Sequence, residues 1–404
     1  MTRASQLKKH PKTRLPVWMA GGIILMAAGL LLGAVEIGLR LGGYGDVRLR
    51  AQFPQTYAQV RELQCIYADI GARAVREAGT VLYRYKPVTT ALYSINSLGI
   101  RAREVPPTRP PCAFRVMVMG GSTVWGPRVA DNATIPQRLE VRLRAALSAH
   151  HVEVYNCGVE GFLFQQEAAL AQRLAERIQP NLVIFYHGAN DVRSAFLYGY
   201  QRLSPFEHDS ETYFARGRQR GMLHRVRGAI MTSRLAQLAR DVRSRIMQWI
   251  RPARNATTFD RSPRTLLSPQ QKEQRQADLV AGYASDKAAV EAFFAQRGVP
   301  VLFLLQPRLA TKAIKTDLER EYERDFEAAN PGFADFVAAT YSALQDQLPD
   351  VVDLSGIFDA EQGEIYWDVV HVNPKGNDIA AEAIFHVVED KGLLSHRQRK
   401  SSAR

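Results

Sequence analysis

Residues 114–123 read Phe-Arg-Val-Met-Val-Met-Gly-Gly-Ser-Thr and decide how the chain folds. The first six are mostly apolar at consecutive rather than alternate positions, which is typical of a strand buried on both faces of a parallel sheet. Two glycines then permit a tight turn, from which a small hydroxyl side chain can project. The stretch therefore predicts a core parallel strand with Ser122 just beyond its carboxyl end.

Similar apolar runs recur along the chain, at 152–155, 181–186 and 299–305. The segments between them repeat apolar residues at helical spacing and predict helices at 135–148, 165–178, 287–296, 318–328, 334–347 and 374–387. Strands that alternate with helices indicate an α/β fold, a three-layer α/β/α sandwich around a parallel sheet. Ligands of such sheets bind at the carboxyl ends of the strands.

Short motifs follow these strands or precede a helix: Gly121-Ser122-Thr123, Asn156-Cys157-Gly158, Gly188-Ala189-Asn190-Asp191 and Asp368-Val369-Val370-His371. A serine hydroxyl needs a base to become a nucleophile, and we predict His371 for Ser122, with Asp368 holding the imidazole tautomer. The backbone N–H groups of Ser122 and Gly158 and the side-chain amide of Asn190 would stabilise the oxyanion. Together the motifs predict acyl transfer through a covalent serine ester.

Each motif taken alone has an ordinary structural explanation. Gly-Gly-Ser-Thr and Asn-x-Gly are typical of turns, Asn190-Asp191 of an Asx turn or helix cap, and Asp368 with His371 of a capping pair. His187 is a competing histidine, which we interpret as a packing residue at the end of a strand. The occurrence of all the motifs in this order favours the catalytic interpretation.

The motifs resemble the blocks of the SGNH (GDSL-type) hydrolase superfamily, which are matched by Ser122, Gly158, Asn190 and His371 with Asp368. The resemblance runs from about residue 114 to residue 391, apart from a segment near the middle. It implies a flavodoxin-like domain that hydrolyses esters without a metal or cofactor. Glycine and threonine stand at 121 and 123 where the family has aspartate and leucine. That aspartate is not the triad acid, so the difference leaves the mechanism intact and indicates a divergent subgroup.

The N-terminal segment predicts a membrane anchor. Residues 1–14 form a basic tail, and residues 17–35 then run without a charge. About 20 apolar residues span a bilayer as a helix, and a basic flank keeps the N-terminus in the cytoplasm. The alternative is a cleaved signal peptide, whose apolar core is usually about 7–15 residues long. We predict an uncleaved transmembrane helix at 15–41, with the following domain in the periplasm or outside the cell.

The formal net charge of +13 is unevenly placed. Basic residues concentrate in the two terminal tails and in the arginine-rich stretch 214–254, which leaves a mildly acidic body. This distribution argues against a nucleic-acid-binding protein.

The three cysteines do not have the close spacing of a metal site. One hypothesis is a disulfide between Cys65 and Cys112. Cys157 is interpreted as a buried packing residue.

Two regions interrupt the alternation of strands and helices. Residues 42–113 link the anchor to the domain at 114–391, and the β-prone residues within 81–100 predict a strand pair or flap on the core. Residues 192–275 are too long for an ordinary loop and predict an insertion with an arginine-rich helix. Three interpretations of that helix are open. It exposes a solvated face, it lies on the surface of an anionic membrane, or it covers an acidic glycan substrate as a lid. The basic, polar composition of residues 392–404 predicts a disordered tail.

A membrane-anchored, outward-facing chain resembles those superfamily members that act on envelope or exported glycans. The leading hypothesis is a serine esterase that hydrolyses acyl esters, in particular O-acetyl esters, of such a glycan. The alternative is an O-acyltransferase with the same triad. Transferases of this fold often place Asp-x-x-His before the serine, whereas here it follows, which favours hydrolysis. A non-catalytic glycan-binding protein is the third hypothesis, opposed by the intact set of motif residues.

Overall fold

The computed structural model describes residues 17–42, 74–76, 79–80, 83–90, 92–202 and 267–394, together with residues 235, 238 and 242. The chain divides into two compact units, Met1–Pro54 with Met222–Ile250, and Gln55–Gly221 with Arg251–Arg404. The basic tail at 1–14, most of the arginine-rich insertion and the tail beyond residue 394 lie outside the described residues, and so does Cys65. The Cys65–Cys112 disulfide therefore stays a prediction.

The first unit contains helix α1, Val17–Leu41. Several of its large apolar side chains are exposed, among them Met26, Leu30 and Leu31. Near its end, Oε2 of Glu36 accepts a hydrogen bond of 2.8 Å from the backbone N–H of Leu235. Among the residues that the structure describes, no helix combines the length and apolarity needed to cross a membrane, so the predicted anchor is not confirmed.

The second unit begins with short antiparallel strand pairs. Strand β1 (Ala74–Arg76) pairs with β2 (Tyr83–Tyr85), and β3 (Val88–Thr89) pairs with β4 (Ser94–Ile95). Buried apolar side chains of this region join the core of the second unit: Tyr85, Tyr93, Ile95, Ile100 and Val105. The prediction of a strand pair packed on the core is confirmed, and we call residues 83–105 the flap.

A parallel sheet forms the centre of the second unit. Its strands are β5 (Ala113–Gly120), β6 (His151–Gly158), β7 (Leu182–His187), β8 (Val301–Leu305) and β9 (Val352–Asp353), in the spatial order β6-β5-β7-β8-β9. Every neighbouring pair in this sheet is parallel. The predicted strands are confirmed as β5 to β8, whereas β9 is too short to leave a periodic signal.

Helices cover both faces of the sheet. They are α2 (Ser122–Trp125), α3 (Ile135–Ala146), α4 (Phe164–Ile178), α5 (Ala189–Tyr198), α6 (Pro269–Ala295), α7 (Asp317–Ala329), α8 (Phe333–Gln347) and α9 (Pro374–Asp390). Val116 and Val118 of β5 pack with α3 and α9 in one core, and Met117 and Met119 pack with α4, α6 and α8 in the other. The strand period of two thus divides β5 between two helical layers, which confirms the three-layer sandwich.

Helix α6 begins well before the predicted helix at 287–296. Ser268 caps its N-terminus, because its hydroxyl accepts a hydrogen bond of 3.2 Å from the N–H of Gln271, whose side chain accepts in return from the N–H of Ser268. The first turns are polar, which hides the apolar period used to find the helix. Helix α5 likewise occupies the start of the segment at 192–275 that the sequence assigned to the insertion.

Candidate active site

Ser122 is the first residue of α2, directly beyond the end of β5. Its Oγ lies 2.7 Å from Nε2 of His371, and Nδ1 of that ring lies 2.8 Å from Oδ2 of Asp368. The other carboxylate oxygen of Asp368 accepts hydrogen bonds from the backbone N–H groups of Val370 and His371, at 2.9 and 2.8 Å. The structure therefore brings the predicted nucleophile, base and orienting acid together in one hydrogen-bonded chain.

The carboxyl of Asp368 is held in its ionised form. Its partial burial alone would raise the pKa, but the charge of His371, the hydrogen bond to it and the charge of Arg128 hold the pKa well below its ordinary range. An ionised Asp368 accepts the Nδ1 proton of His371, which leaves Nε2 as the acceptor that faces Ser122. This tautomer is the one that a general base for Ser122 requires.

Two of the predicted oxyanion donors, Asn190 and Gly158, already make hydrogen bonds. Nδ2 of Asn190 donates to the carbonyl oxygen of Phe162 at 2.9 Å, and a side-chain amide keeps a second N–H for another acceptor. The N–H of Gly158 donates to Oδ1 of Asn156 at 3.0 Å. Gly158 has only one N–H, so an oxyanion bound there would share it with Asn156. This engagement of Gly158 was not predicted from the sequence, although it lies within the motif.

Glycine at two positions is a steric requirement of this arrangement. A Cβ atom on Gly158 would lie 2.4 Å from the backbone nitrogen of Trp125, inside α2. A Cβ atom on Gly121 would lie 2.5 Å from Nδ2 of Asn190. Side chains at these positions would push the serine helix and the predicted oxyanion amide out of place. The glycine at 121, where the resemblance has an aspartate, therefore fits the local packing.

Asn156 links the serine helix to β6. Its Nδ2 donates to the carbonyl oxygens of Val124 and Trp125, at 2.8 and 3.3 Å, while its Oδ1 accepts from Gly158. A helix of four residues cannot satisfy its own last carbonyl groups, so these groups need partners from outside the helix. In the sequence, Asn156 stands out only as part of a turn motif. Its role in holding the helix depends on a contact across 32 positions of the chain.

His187 does not contact the triad. It is buried at the end of β7, where Nδ1 lies 3.1 Å from Oε2 of Glu167 and Nε2 lies 2.7 Å from the hydroxyl of Tyr283. Burial lowers the pKa of His187 to about 4 and raises the pKa of Glu167 well above its ordinary value. Burial thus favours the neutral form of both groups, which limits the cost of placing an ion in the core. The interpretation of His187 as a packing residue is confirmed, with hydrogen bonds that the sequence did not indicate.

A polar cavity adjoins Ser122. Its walls include Thr123, Asn190, Asp191 and Gln306. Oγ1 of Thr123 donates to Oε1 of Gln306 at 2.6 Å, which links the residue after the serine to the segment beyond β8.

Within the described part of the chain, no group of three or more His, Cys, Asp or Glu side chains is arranged to hold a metal ion.

Fold and geometry together define a site of the serine-hydrolase type on an α/β/α sandwich. The sequence model of the family described as GDSL-like lipase/acylhydrolase matches residues 116–384, and the chain belongs to this family. The protein is accordingly a carboxylic ester hydrolase. A comparison with curated protein sequences finds no significant match.

Several solved structures are similar to the chain at low sequence identity. The acetyl xylan esterase AlAXEase is 14% identical over 68% of this chain and 100% of its own, with a TM-score of 0.33. TesA is 14% identical over 69% of this chain and 99% of its own, with a TM-score of 0.32. A mutant of Axe2, an acetylxylan esterase from Geobacillus stearothermophilus, is 12% identical over 68% of this chain and 93% of its own, with a TM-score of 0.33.

Proposed function

We propose that the protein hydrolyses acyl esters, in particular O-acetyl esters, of an envelope or exported glycan through a covalent ester on Ser122. The observation that carries this proposal is the chain of hydrogen bonds from Ser122 through His371 to Asp368, at 2.7 and 2.8 Å. A serine with an aligned base and an ionised orienting acid is the arrangement that acyl transfer requires. Membership of an acylhydrolase family agrees with it.

In the acylation step, Oγ of Ser122 attacks the carbonyl carbon of the ester while Nε2 of His371 takes the hydroxyl proton. The electron pair of the carbonyl π bond moves to oxygen, and the resulting oxyanion is stabilised by the N–H of Ser122, the amide of Asn190 and the shared N–H of Gly158. Collapse of this intermediate breaks the bond to the sugar oxygen. That oxygen takes the proton from His371 and leaves as a free hydroxyl.

In the deacylation step, a water molecule replaces the sugar. Nε2 of His371 takes a proton from the water as its oxygen attacks the acyl-serine carbonyl carbon, and the same donors stabilise the second oxyanion. The bond to Oγ then breaks, and the proton on His371 returns to Ser122. The products are a carboxylic acid and the free enzyme. Asp368 stays ionised throughout and stabilises the imidazolium that forms in both steps.

The cavity beside Ser122 supports a short acyl group. Its walls carry the polar side chains of Thr123, Asn190, Asp191 and Gln306. A long hydrocarbon chain would strip these groups of water without offering hydrogen bonds in return, which costs free energy. An acetyl group buries little surface and leaves the polar walls hydrated. A polar, hydroxyl-rich leaving group such as a sugar fits the same surroundings.

A fluorophosphonate probe tests the proposed nucleophile directly. We expect the purified full-length protein to be labelled covalently at Ser122, with labelling slowed while an excess of an aryl acetate is present as a competing substrate. Replacing Ser122 by alanine should remove the label, as read by mass spectrometry of the modified peptide. Ser194 provides the matched control, since it lies on α5 outside the triad and Ser194→Ala should leave labelling intact. Labelling elsewhere than at Ser122, or none at all, would refute the proposal.

The fate of the acyl group separates hydrolysis from transfer. With an acetylated oligosaccharide as substrate, we expect free acetate to accumulate in proportion to deacetylated sugar. Addition of a second, unacetylated oligosaccharide should not reduce the yield of acetate. If acetate release instead falls while the acceptor becomes acetylated, the protein is a transferase and the hydrolytic assignment is wrong.

We further propose that the segment at 15–41 anchors the protein in the cytoplasmic membrane, with the catalytic domain on the outer side. Support comes from the charge-free run at 17–35 behind a basic tail and from the exposed apolar side chains of α1. Such a row of apolar side chains is unfavourable in water and favourable in lipid.

Membrane fractionation tests the anchor. In a Gram-negative host, the full-length protein should stay with membranes in alkaline carbonate, and protease added to spheroplasts should degrade the catalytic domain. Replacing Leu30 and Leu31 together by arginine interrupts the apolar run and should release the protein, because each charge at the centre of a membrane helix costs about 2.5–3.5 kcal/mol. Release of the unaltered protein by carbonate would contradict the anchor.

A further inference from the structure

The guanidinium of Arg101 lies at the C-terminal end of the helix that carries Ser122. Arg101 belongs to the flap and is 3% exposed. Its Nη1 donates to the carbonyl oxygens of Trp125 and Gly126, at 3.0 and 2.6 Å, and its Nη2 donates to that of Val129 at 2.7 Å. Nε donates to Oδ1 of Asp131 at 2.7 Å. One side chain from a separate segment thus holds the loop that follows the serine helix.

Helix α2 is too short to hold its own shape. In its single turn, the N–H groups of Trp125 and Gly126 donate to the carbonyl oxygens of Gly121 and Ser122. The carbonyl oxygens of the later residues point away from the turn, where no further helical N–H follows. Asn156 reaches those of Val124 and Trp125, and Arg101 reaches those of Trp125 and Gly126. The end of the turn is therefore fixed by side chains from β6 and from the flap.

The chemistry of Arg101 suits this position better than that of any other side chain. A guanidinium presents several N–H donors in a planar fork, so it can serve three carbonyl groups and a carboxylate at once. Its positive charge also complements the negative end of the α2 dipole. The ring centroid of Trp125 lies 4.7 Å from the guanidinium carbon, which adds a cation–π contact. A lysine ammonium could not make this set of contacts.

We propose that Arg101 is a positioning residue for Ser122, which it holds in line with Nε2 of His371 by fixing the C-terminal end of α2. The inference rests on the proposed function, because it concerns the reach of the same nucleophile. It makes the flap, which precedes the sheet in sequence, part of the catalytic unit. The link runs from Arg101 to the carbonyl groups of Trp125 and Gly126, and through one helical turn to Ser122.

Variants of Arg101 test the inference by separating rate from binding. For Arg101→Lys we expect kcat on an aryl acetate, normalised to titrated active sites, to fall about 10- to 100-fold, since a misplacement of about 1 Å costs on the order of 100-fold. KM should change little, because Arg101 is buried and is not among the residues that line the cavity beside Ser122. The rate of fluorophosphonate labelling at Ser122 should fall in parallel with kcat. A merely structural role would lower the fraction of active sites and leave kcat per site unchanged, which would overturn the inference.

Arg103 offers a matched control in the same flap. It pairs with Glu140 of α3 and makes no recorded hydrogen bond to residues 125–131 within the described part of the chain. Arg103→Lys should leave kcat per site close to that of the unaltered protein. If it lowers kcat as much as Arg101→Lys does, the flap acts by general stability and the positioning role is wrong. Should Arg101→Lys fail to fold, Asp131→Asn removes the charged acceptor of Nε and should give a smaller loss of the same kind.

The test also separates this inference from the proposed function. If the unaltered protein is neither labelled nor active, the proposed function fails. The positioning role of Arg101 can then still be tested by a measurement that needs no substrate. The Nδ1 proton of His371 between the ring and Asp368 then gives the readout, as a downfield proton NMR signal. That signal should weaken or shift in Arg101→Lys and persist in Arg103→Lys. An unchanged signal in Arg101→Lys would refute the positioning role.

Discussion

Replacing Ser122 by alanine is expected to lower kcat for an aryl acetate by roughly 10⁵- to 10⁶-fold. The substitution removes the oxygen that forms the acyl ester and with it the 2.7 Å hydrogen bond to His371. The proposed oxyanion donors at the backbone of residue 122 and at Asn190 remain. They should leave a residual rate about 10³- to 10⁴-fold above that in water. Steady-state kinetics at high enzyme concentration measures this loss, with a thermal melt to show that the fold persists.

A double variant shows whether Ser122 and His371 act as one unit. His371→Ala alone should cost about as much as Ser122→Ala, because without a base the hydroxyl stays protonated and unreactive. Ser122→Ala combined with His371→Ala should then cost no more than either single change, since interdependent residues are strongly non-additive. Multiplication of the two losses in the double variant would mean that the residues act independently. A loss below about tenfold for either would show that the reaction takes place elsewhere.

The sequence predicted most of this site because parallel strands end at one edge of the sheet. The apolar runs at 114–119 and 181–186 place Ser122 and Asn190 beyond neighbouring strands, and β5 and β7 are indeed paired. The position of His371 could not be derived in the same way, since no long strand leads to it. Only its spacing from Asp368 and the family resemblance indicated it, and the structure then places its ring against Ser122.

The parts that the sequence did not predict depend on contacts between distant residues. Arg101 directly follows the β-prone stretch at 81–100, whose pattern indicates strands but no contact with the serine helix. Its role exists only because the flap packs against the end of α2. His187 contacts residues 20 and 96 positions away, so no local pattern indicates its partners. The hydrogen bond from Gly158 to Asn156 spans two residues, as in an Asx turn. That bond was therefore accessible in principle, whereas the reach of Asn156 to α2 was not.

Replacing Asp368 by asparagine is expected to lower kcat by about 10⁴-fold while KM changes little. In the unaltered protein, Oδ2 of Asp368 accepts the Nδ1 proton of His371 at 2.8 Å, which leaves Nε2 free to take the proton of Ser122. An amide at residue 368 can present N–H to the ring instead. It would then stabilise the tautomer with a proton on Nε2, which cannot act as a base. Steady-state kinetics of Asp368→Asn over a range of pH measures the loss.

Asp378 provides the matched control, because it lies on α9 and pairs with Arg142 rather than with the triad. Asp378→Asn should leave kcat within about twofold, as for most surface substitutions.

The dependence of the rate on pH gives an independent check of the role of Asp368. His371 and Arg128 hold the pKa of Asp368 well below its ordinary range, so its carboxyl is ionised above that range and protonates only in strong acid. The rate on acidification should therefore show no step near the ordinary pKa of a carboxyl. Such a step, together with a small loss in Asp368→Asn, would show that Asp368 does not orient the base.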